Sequence, residues 1–116
     1  MTVRVYGIAS CDGCRRARRT LEQAAIEHHW TDLRETPPDL NTLQRWILRI
    51  GPETLVNRRS ASWRQLAPGD RQAASGSGLA KLLQGHPTLI KRPLIEHRDE
   101  CRVGFDDTVL EWLQTR

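Results

Sequence analysis

Apolar positions along the chain fall into short groups whose spacing changes. Val3 to Ile8 alternates apolar and polar at its start and is rich in residues that suit pleated backbone, which predicts a strand. From about Asp12 to Ile26 the spacing becomes helical, with Ala17, Leu21, Ala24 and Ala25 on one face and Ser10 ahead of them. "HHWTDL" at 28–33 predicts a second short strand, and the paired prolines of "ETPPDL" stop regular structure. Asp39 predicts the N-cap of a helix carrying Leu40, Leu43, Trp46, Ile47 and Ile50 at intervals of three and four. Gly51-Pro52 ends that helix and begins a shorter helical turn through Leu55 and Val56.

"NRRSASW" at 57–63 is polar and predicts an ordered loop. Leu66 to Leu83 is weakly helical and broken by "SGSG" at 75–78, which is too short for a domain linker. Leu94 to His97 and Cys101 to Phe105 predict an antiparallel hairpin joined by the turn "RDE". Asp106 then caps a last helix that turns Val109, Leu110 and Leu113 inward. The order is β-α-β, several helices, β-β, α, with Cys-x-x-Cys just after the first strand. That is the layout of an α/β, thioredoxin-like fold with a mixed sheet. Residues 1–116 are expected to form one domain with a helical insertion at about 38–84.

Composition narrows the class. At 116 residues, 38% hydrophobic and 28% charged, the chain is expected to be globular with one core. No apolar run approaches the roughly 20 residues of a membrane span, and the N-terminal stretch lacks the apolar segment of a secretory signal. Three cysteines argue against a secreted disulfide framework, so a cytoplasmic monomer is the expectation. The net charge of +4 raises the question of nucleic acid. The one dense basic run, Arg15, Arg16, Arg18 and Arg19, wraps around the predicted first helix rather than lining one face. A small anionic ligand fits that pattern better than direct nucleic-acid binding does.

The chemistry concentrates in "SCDGCRR" at 10–16. Two cysteines three apart at a helix start bring their sulfurs within disulfide reach. Cys11 falls where unpaired N–H groups and the positive end of the helix dipole favour thiolate over thiol. That makes Cys11 the candidate nucleophile and Cys14 the candidate resolving thiol, with Arg15 and Arg16 adding positive potential and Asp12 opposing it. Competing readings are half of a zinc site, for which only Cys101 and four histidines remain, and a structural pair of buried thiols. Cys101, between apolar neighbours, reads as core. Arg59 lies in a polar loop. Arg92 directly precedes Pro93, and in a thioredoxin-like fold such a step suggests a cis bond facing the cysteine helix, with Arg92 beside Cys11. Arginine suits bidentate recognition of an oxyanion or carboxylate.

Three blocks, "YGIASCDGCRRAR", "NRRSASWRQL" and "LIKRPLI…VGF", resemble in order and spacing the ArsC/Spx family of thioredoxin-like proteins, and most nearly its YffB-like branch. The resemblance implies an arsenate-reductase-like thiol oxidoreductase, with glutathione as co-substrate, glutaredoxin as a partner, and no bound cofactor or metal. By motif, Cys11 matches the nucleophile, Arg59 the arginine of the middle loop and Arg92 the arginine before the proline. Asp12, Gly13, Arg15 and Pro93 are then candidate substrate contacts. The family's arsenate reductases carry a further arginine in the last hairpin, where this chain has Glu100, with Arg98 and Arg102 close by. The alternative implied by the resemblance is an Spx-like redox-sensing regulator. Such a protein binds the C-terminal domain of the RNA polymerase α subunit, with the Cys-x-x-Cys disulfide as its switch. Spx proteins carry a longer tail after the last helix, and the end of this chain at Arg116 favours the enzyme-like branch as an expectation.

Overall fold

The structure, a computed structural model, describes residues 2–115. It comprises two compact units: one runs to Glu35 and resumes at Arg92, and the other spans Thr36–Lys91.

The first unit is built on a four-stranded mixed sheet. Its strands are β1 (Val3–Gly7), β2 (His28–Asp32), β3 (Leu94–His97) and β4 (Glu100–Val103), in the order β2-β1-β3-β4. β1 runs parallel to β2, as a strand-helix-strand crossover requires, and antiparallel to β3; β3 and β4 form a hairpin. Helices α1 (Asp12–Gln23) and α7 (Asp107–Gln114) cover one face. There Val3, Val5, Leu21, Ile95, Val109 and Leu113 form the core, with Trp30 and Trp112 packed against it. Alternation sends Arg4, Tyr6 and Glu96 to the other face, where the Tyr6 hydroxyl donates to Glu96 Oε1 at 2.9 Å.

The second unit is helical: α2 (Leu40–Ile50), α3 (Pro52–Leu55), α4 (Ala61–Arg64), α5 (Pro68–Ala73), α6 (Leu79–Gly85) and a 3₁₀ turn at Pro87–Leu89. Its core holds Leu43 and Trp46 of α2 with Leu79, Leu82 and Leu83 of α6. A bridge between Val56 and Ile90 closes it.

Several elements differ from the sequence reading. The first helix stops at Gln23 and not Ile26. Ala25 takes a left-handed φ of 57°, and the Ile26 N–H reaches back to Leu21 O at 2.9 Å. Ala25 is therefore exposed, where the apolar pattern placed it inward. The polar loop at 57–63 contains the start of α4, because Ser60 Oγ accepts from the Trp63 N–H at 3.1 Å. The hairpin turn is two residues, Arg98 and Asp99, both left-handed at φ 52° and 66°, so Glu100 belongs to β4 and Phe105 lies beyond it. Asp39 and Asp106 cap α2 and α7 as expected, accepting from Thr42 N at 2.8 Å and Val109 N at 3.0 Å.

Gly7, at the end of β1, is fixed by close approach. A Cβ there would clash with the Cys14 sulfur and stand 2.9 Å from the Trp30 ring. Gly7→Ala is expected to destabilise the protein by about 1–3 kcal/mol in chemical denaturation, because the strand, the buried Cys14 sulfur and the half-buried Trp30 ring must shift together.

His97 is buried, edge-on to Trp112 with ring centroids 5.6 Å apart, and neither ring nitrogen has a hydrogen-bond partner among the described residues. Burial and then the nearby Arg98 hold its pKa below the ordinary 6.5, against a smaller upward pull from Glu100. The folded state thus keeps this ring neutral while the unfolded chain takes up a proton. The resulting stability is present above the unfolded value and is lost as pH falls below about 6.5. Denaturation midpoints measured from pH 7 down to pH 5 should fall less steeply in His97→Leu than in the native chain.

Candidate functional site

The chain leaves β1 at Gly7 and turns over residues 8–11 into α1, and this turn is fastened from both sides. The Cys11 N–H donates to Ile8 O at 3.0 Å. The Ala9 N–H donates to Asp32 Oδ2 at 2.9 Å, and the Ala9 carbonyl accepts from Arg15 Nε at 3.0 Å. The other oxygen of Asp32 accepts from the N–H groups of Arg34 and Glu35 at 2.8 and 3.3 Å. Chiefly through the Ala9 N–H, these bonds hold the Asp32 carboxyl below the usual range.

Cys11 is the N-cap residue of α1, with extended backbone at φ −80° and ψ 124°. Its sulfur closes no capping hydrogen bond of regular geometry. The N–H groups of Cys14 and Gly13 still act on it. Partial burial pushes the Cys11 thiol up; the Cys14 N–H, the Cys14 thiol, the Arg92 side chain and the Gly13 N–H outweigh that and bring it below the ordinary value.

Cys14 has the opposite setting. It is fully buried, and its pKa is pushed up to about 11, first by burial and then by its hydrogen bond to Cys11 and the charge there. One sulfur is thus half-buried and the more readily ionised, and the other is a buried hydrogen-bond donor to it. Such a pair can attack an electrophilic sulfur, and a second thiol stands one turn away.

Arg92 hydrogen-bonds to Cys11 from the residue before Pro93, and the Arg92–Pro93 bond is cis, as the fold analogy suggested. Pro93 is buried, and its carbonyl accepts from the Gly104 N–H at 2.8 Å. Arg15 is committed to the Ala9 carbonyl, and its Nη1 lies 3.9 Å from Asp12 Oδ1. Asp12 is exposed. A Cβ on Gly13 would stand 3.9 Å from the Cys11 sulfur, an ordinary contact, so sterics alone do not demand glycine there.

Arg59 belongs to the second unit. There its N–H donates to Asn57 Oδ1 at 3.1 Å and its carbonyl accepts from Arg64 Nη1 at 2.9 Å, with the side chain exposed. Glu100 accepts from Trp112 Nε1 at 3.3 Å, and Arg102 lies over the same ring at 4.5 Å. Cys101 is half-buried and pairs with Glu96, on the sheet face opposite α1. The sequence reading of it as core is corrected by that half-exposed position. Asp32 went unnoticed in the sequence. Its role arises from the parallel pairing of β1 with β2, and its one local signal was an acceptor side chain at a strand end.

A profile of the ArsC family matches residues 6–112. An uncharacterized protein of Haemophilus influenzae is 35% identical over 105 residues, which is 90% of this chain and 92% of that one. A global transcriptional regulator Spx of Listeria innocua is 29% identical, over 98% of this chain and 88% of its own length. Among solved structures, one named YFFB superposes with a TM-score of 0.90 at 26% identity, covering 97% of this chain and 99% of its own. An arsenate reductase from Vibrio cholerae superposes with a TM-score of 0.81 at 27% identity, covering 96% and 97%. The match to the family profile spans the cysteine turn, both units and the closing helix, and the chain belongs to the ArsC family.

Proposed function

We propose that the protein is a thiol oxidoreductase of the arsenate-reductase-like type that exchanges disulfides with glutathione. The Cys11 thiolate attacks one sulfur of a disulfide, the S–S bond breaks, and the other sulfur leaves with the electron pair. Cys11 is left in a mixed disulfide. Arg92 binds the anionic group of the incoming thiol, a carboxylate in glutathione. Cys14 then attacks Cys11, releases glutathione and closes the intramolecular disulfide.

The observation that carries this reading is the divergence of the two thiols, with Arg92 hydrogen-bonded to the one that is lowered. A disulfide substrate is favoured over arsenate because Glu100 stands where the family's arsenate reductases have an arginine, and its carboxylate is engaged by Trp112. The relatives named Spx support a second reading, in which the Cys11–Cys14 disulfide is a signal read by the RNA polymerase α subunit.

Removing the Arg92 guanidinium takes away a group that favours the anion, so Arg92→Ala should raise the Cys11 pKa. At pH 7 its thiolate absorbance and its alkylation by iodoacetamide should drop severalfold, and the gap should close once pH exceeds both values. A native Cys11 titrating no lower than free cysteine would sink the proposal.

Mass spectrometry after exposure to oxidised glutathione tests the roles of the two thiols. Cys14→Ser should accumulate a glutathione adduct, Cys11→Ser should take none, and the native chain should pass on to the internal disulfide. Because burial alone already raises the Cys14 thiol, that closure should quicken steadily as pH rises from neutrality. Multiple turnovers with reduced glutathione mark an enzyme, and a single oxidation that glutathione does not reverse marks the regulator.

A further inference from the structure

The chain passes from β1 into α1 through a tight turn closed by one internal bond, from the Cys11 N–H to Ile8 O at 3.0 Å. Such a turn leaves its two central residues, Ala9 and Ser10, with backbone groups that water or another part of the chain must meet. For Ala9 the chain supplies both partners. Its carbonyl accepts from Arg15 Nε at 3.0 Å, a contact within the same stretch of sequence. Its N–H donates to Asp32 Oδ2 at 2.9 Å, across 23 residues.

Several contacts prepare Asp32 for that long-range bond. Parallel pairing sets it opposite Gly7, the last residue of β1, beside the point where the chain leaves the sheet. Its Oδ1 accepts from the Arg34 and Glu35 N–H groups at 2.8 and 3.3 Å, a local arrangement that fixes the carboxylate and leaves Oδ2 to the turn. The Leu33 N–H donates to Gly7 O at 2.8 Å, so the backbone next to Asp32 is tied to β1 as well.

Asp32 influences Cys11 in two ways of opposite sign. Its charge, acting through space, disfavours a thiolate. Its bond to Ala9 acts through geometry, because Cys11 lies two residues farther along the same turn. The sulfur gains from the Gly13 and Cys14 N–H groups only while it stays against the first turn of α1. Hydrogen bonds act at contact, whereas the charge of a partly exposed carboxylate is screened by solvent.

We propose that Asp32 is a positioning residue for Cys11, an inference that rests on the oxidoreductase reading above for the use made of that sulfur. Holding the Ala9 N–H fixes the turn and keeps the sulfur against the open N–H groups of α1. That geometric effect exceeds the opposing effect of the carboxylate's charge.

Replacing Asp32 removes the charge and the tie together, so the sign of the change shows which one governs. In Asp32→Ala, Cys11 should ionise at higher pH than in the native chain, read by thiolate absorbance. Its alkylation by iodoacetamide at pH 7 should slow by about threefold or more, and the two proteins should converge once pH exceeds both values. Asp32→Asn keeps one acceptor oxygen without the charge and should titrate between the two; should the alanine chain not fold, the asparagine chain decides by the same sign. Asp39→Ala is the control, since Asp39 also accepts a backbone N–H, from Thr42 at 2.8 Å. It should lower the denaturation midpoint through loss of a helix cap and leave the Cys11 titration where it was. An unchanged or lower titration in Asp32→Ala would overturn the positioning role. So would an equal shift in Asp39→Ala, an asparagine variant no better than alanine, or an alkylation deficit that persists at high pH. A raised titration in Asp32→Ala with no glutathione adduct on either chain would instead sink the oxidoreductase reading and leave the positioning role standing.

Discussion

The lowered pKa of Cys11 depends on its sulfur being held at the open end of α1, where the N–H groups of Gly13 and Cys14 have no carbonyl to meet. The helix alone does not guarantee that position. A four-residue turn separates β1 from α1, and its backbone is tied down through one residue, Ala9. The carboxylate of Asp32 takes the Ala9 N–H, and Arg15 takes the Ala9 carbonyl. Both ties come from outside the turn, one from the neighbouring parallel strand and one from the helix that follows. The Cys11 sulfur therefore inherits its place from the β-α-β unit as a whole.

Two identical side chains one turn apart acquire opposite characters from this placement. Cys11 is only partly buried, and its hydrogen-bond partners Gly13, Cys14 and Arg92 favour the anion; Cys14 is wholly buried and gives its proton to the arrangement as a hydrogen-bond donor. Arg92 acts on both sulfurs in the same direction. For Cys14, burial and the neighbouring anion overwhelm it, while for Cys11 the balance tips toward ionisation. Depth, more than any single charge, separates the roles.

Much of this was legible in the chain, for identifiable reasons. The caps at Asp39 and Asp106 could be read because a short acceptor side chain just ahead of an apolar period has one good use. The helical character of α1 could be read, and its end could not. Ala24 and Ala25 continue the apolar pattern, and the left-handed close at Ala25 uses neither glycine nor asparagine. The hairpin turn was misjudged by one residue for the same reason, since Arg98 and Asp99 adopt left-handed backbone without a glycine to announce it. At the site, Cys11 and Cys14 declare themselves through spacing, and the nearness of Arg92 follows from fold analogy. Asp32 and the facing of Cys101 depend on strand adjacency and register, and a linear pattern carries neither.

The missing side chain at Gly7 binds three distant positions into one space-filling problem. The bulk that residue 7 forgoes is taken up by a sulfur from α1 and an indole from β2. Enlarging residue 7 presses on both of the others, so a substitution there will not act independently of substitutions at 14 and 30. A lineage that discards the second thiol for something larger must also remodel the tryptophan, and one that shrinks the tryptophan leaves room beside the sulfur for water to enter. The identity of an unreactive aromatic ring on another strand thus governs how dry the interior thiol stays.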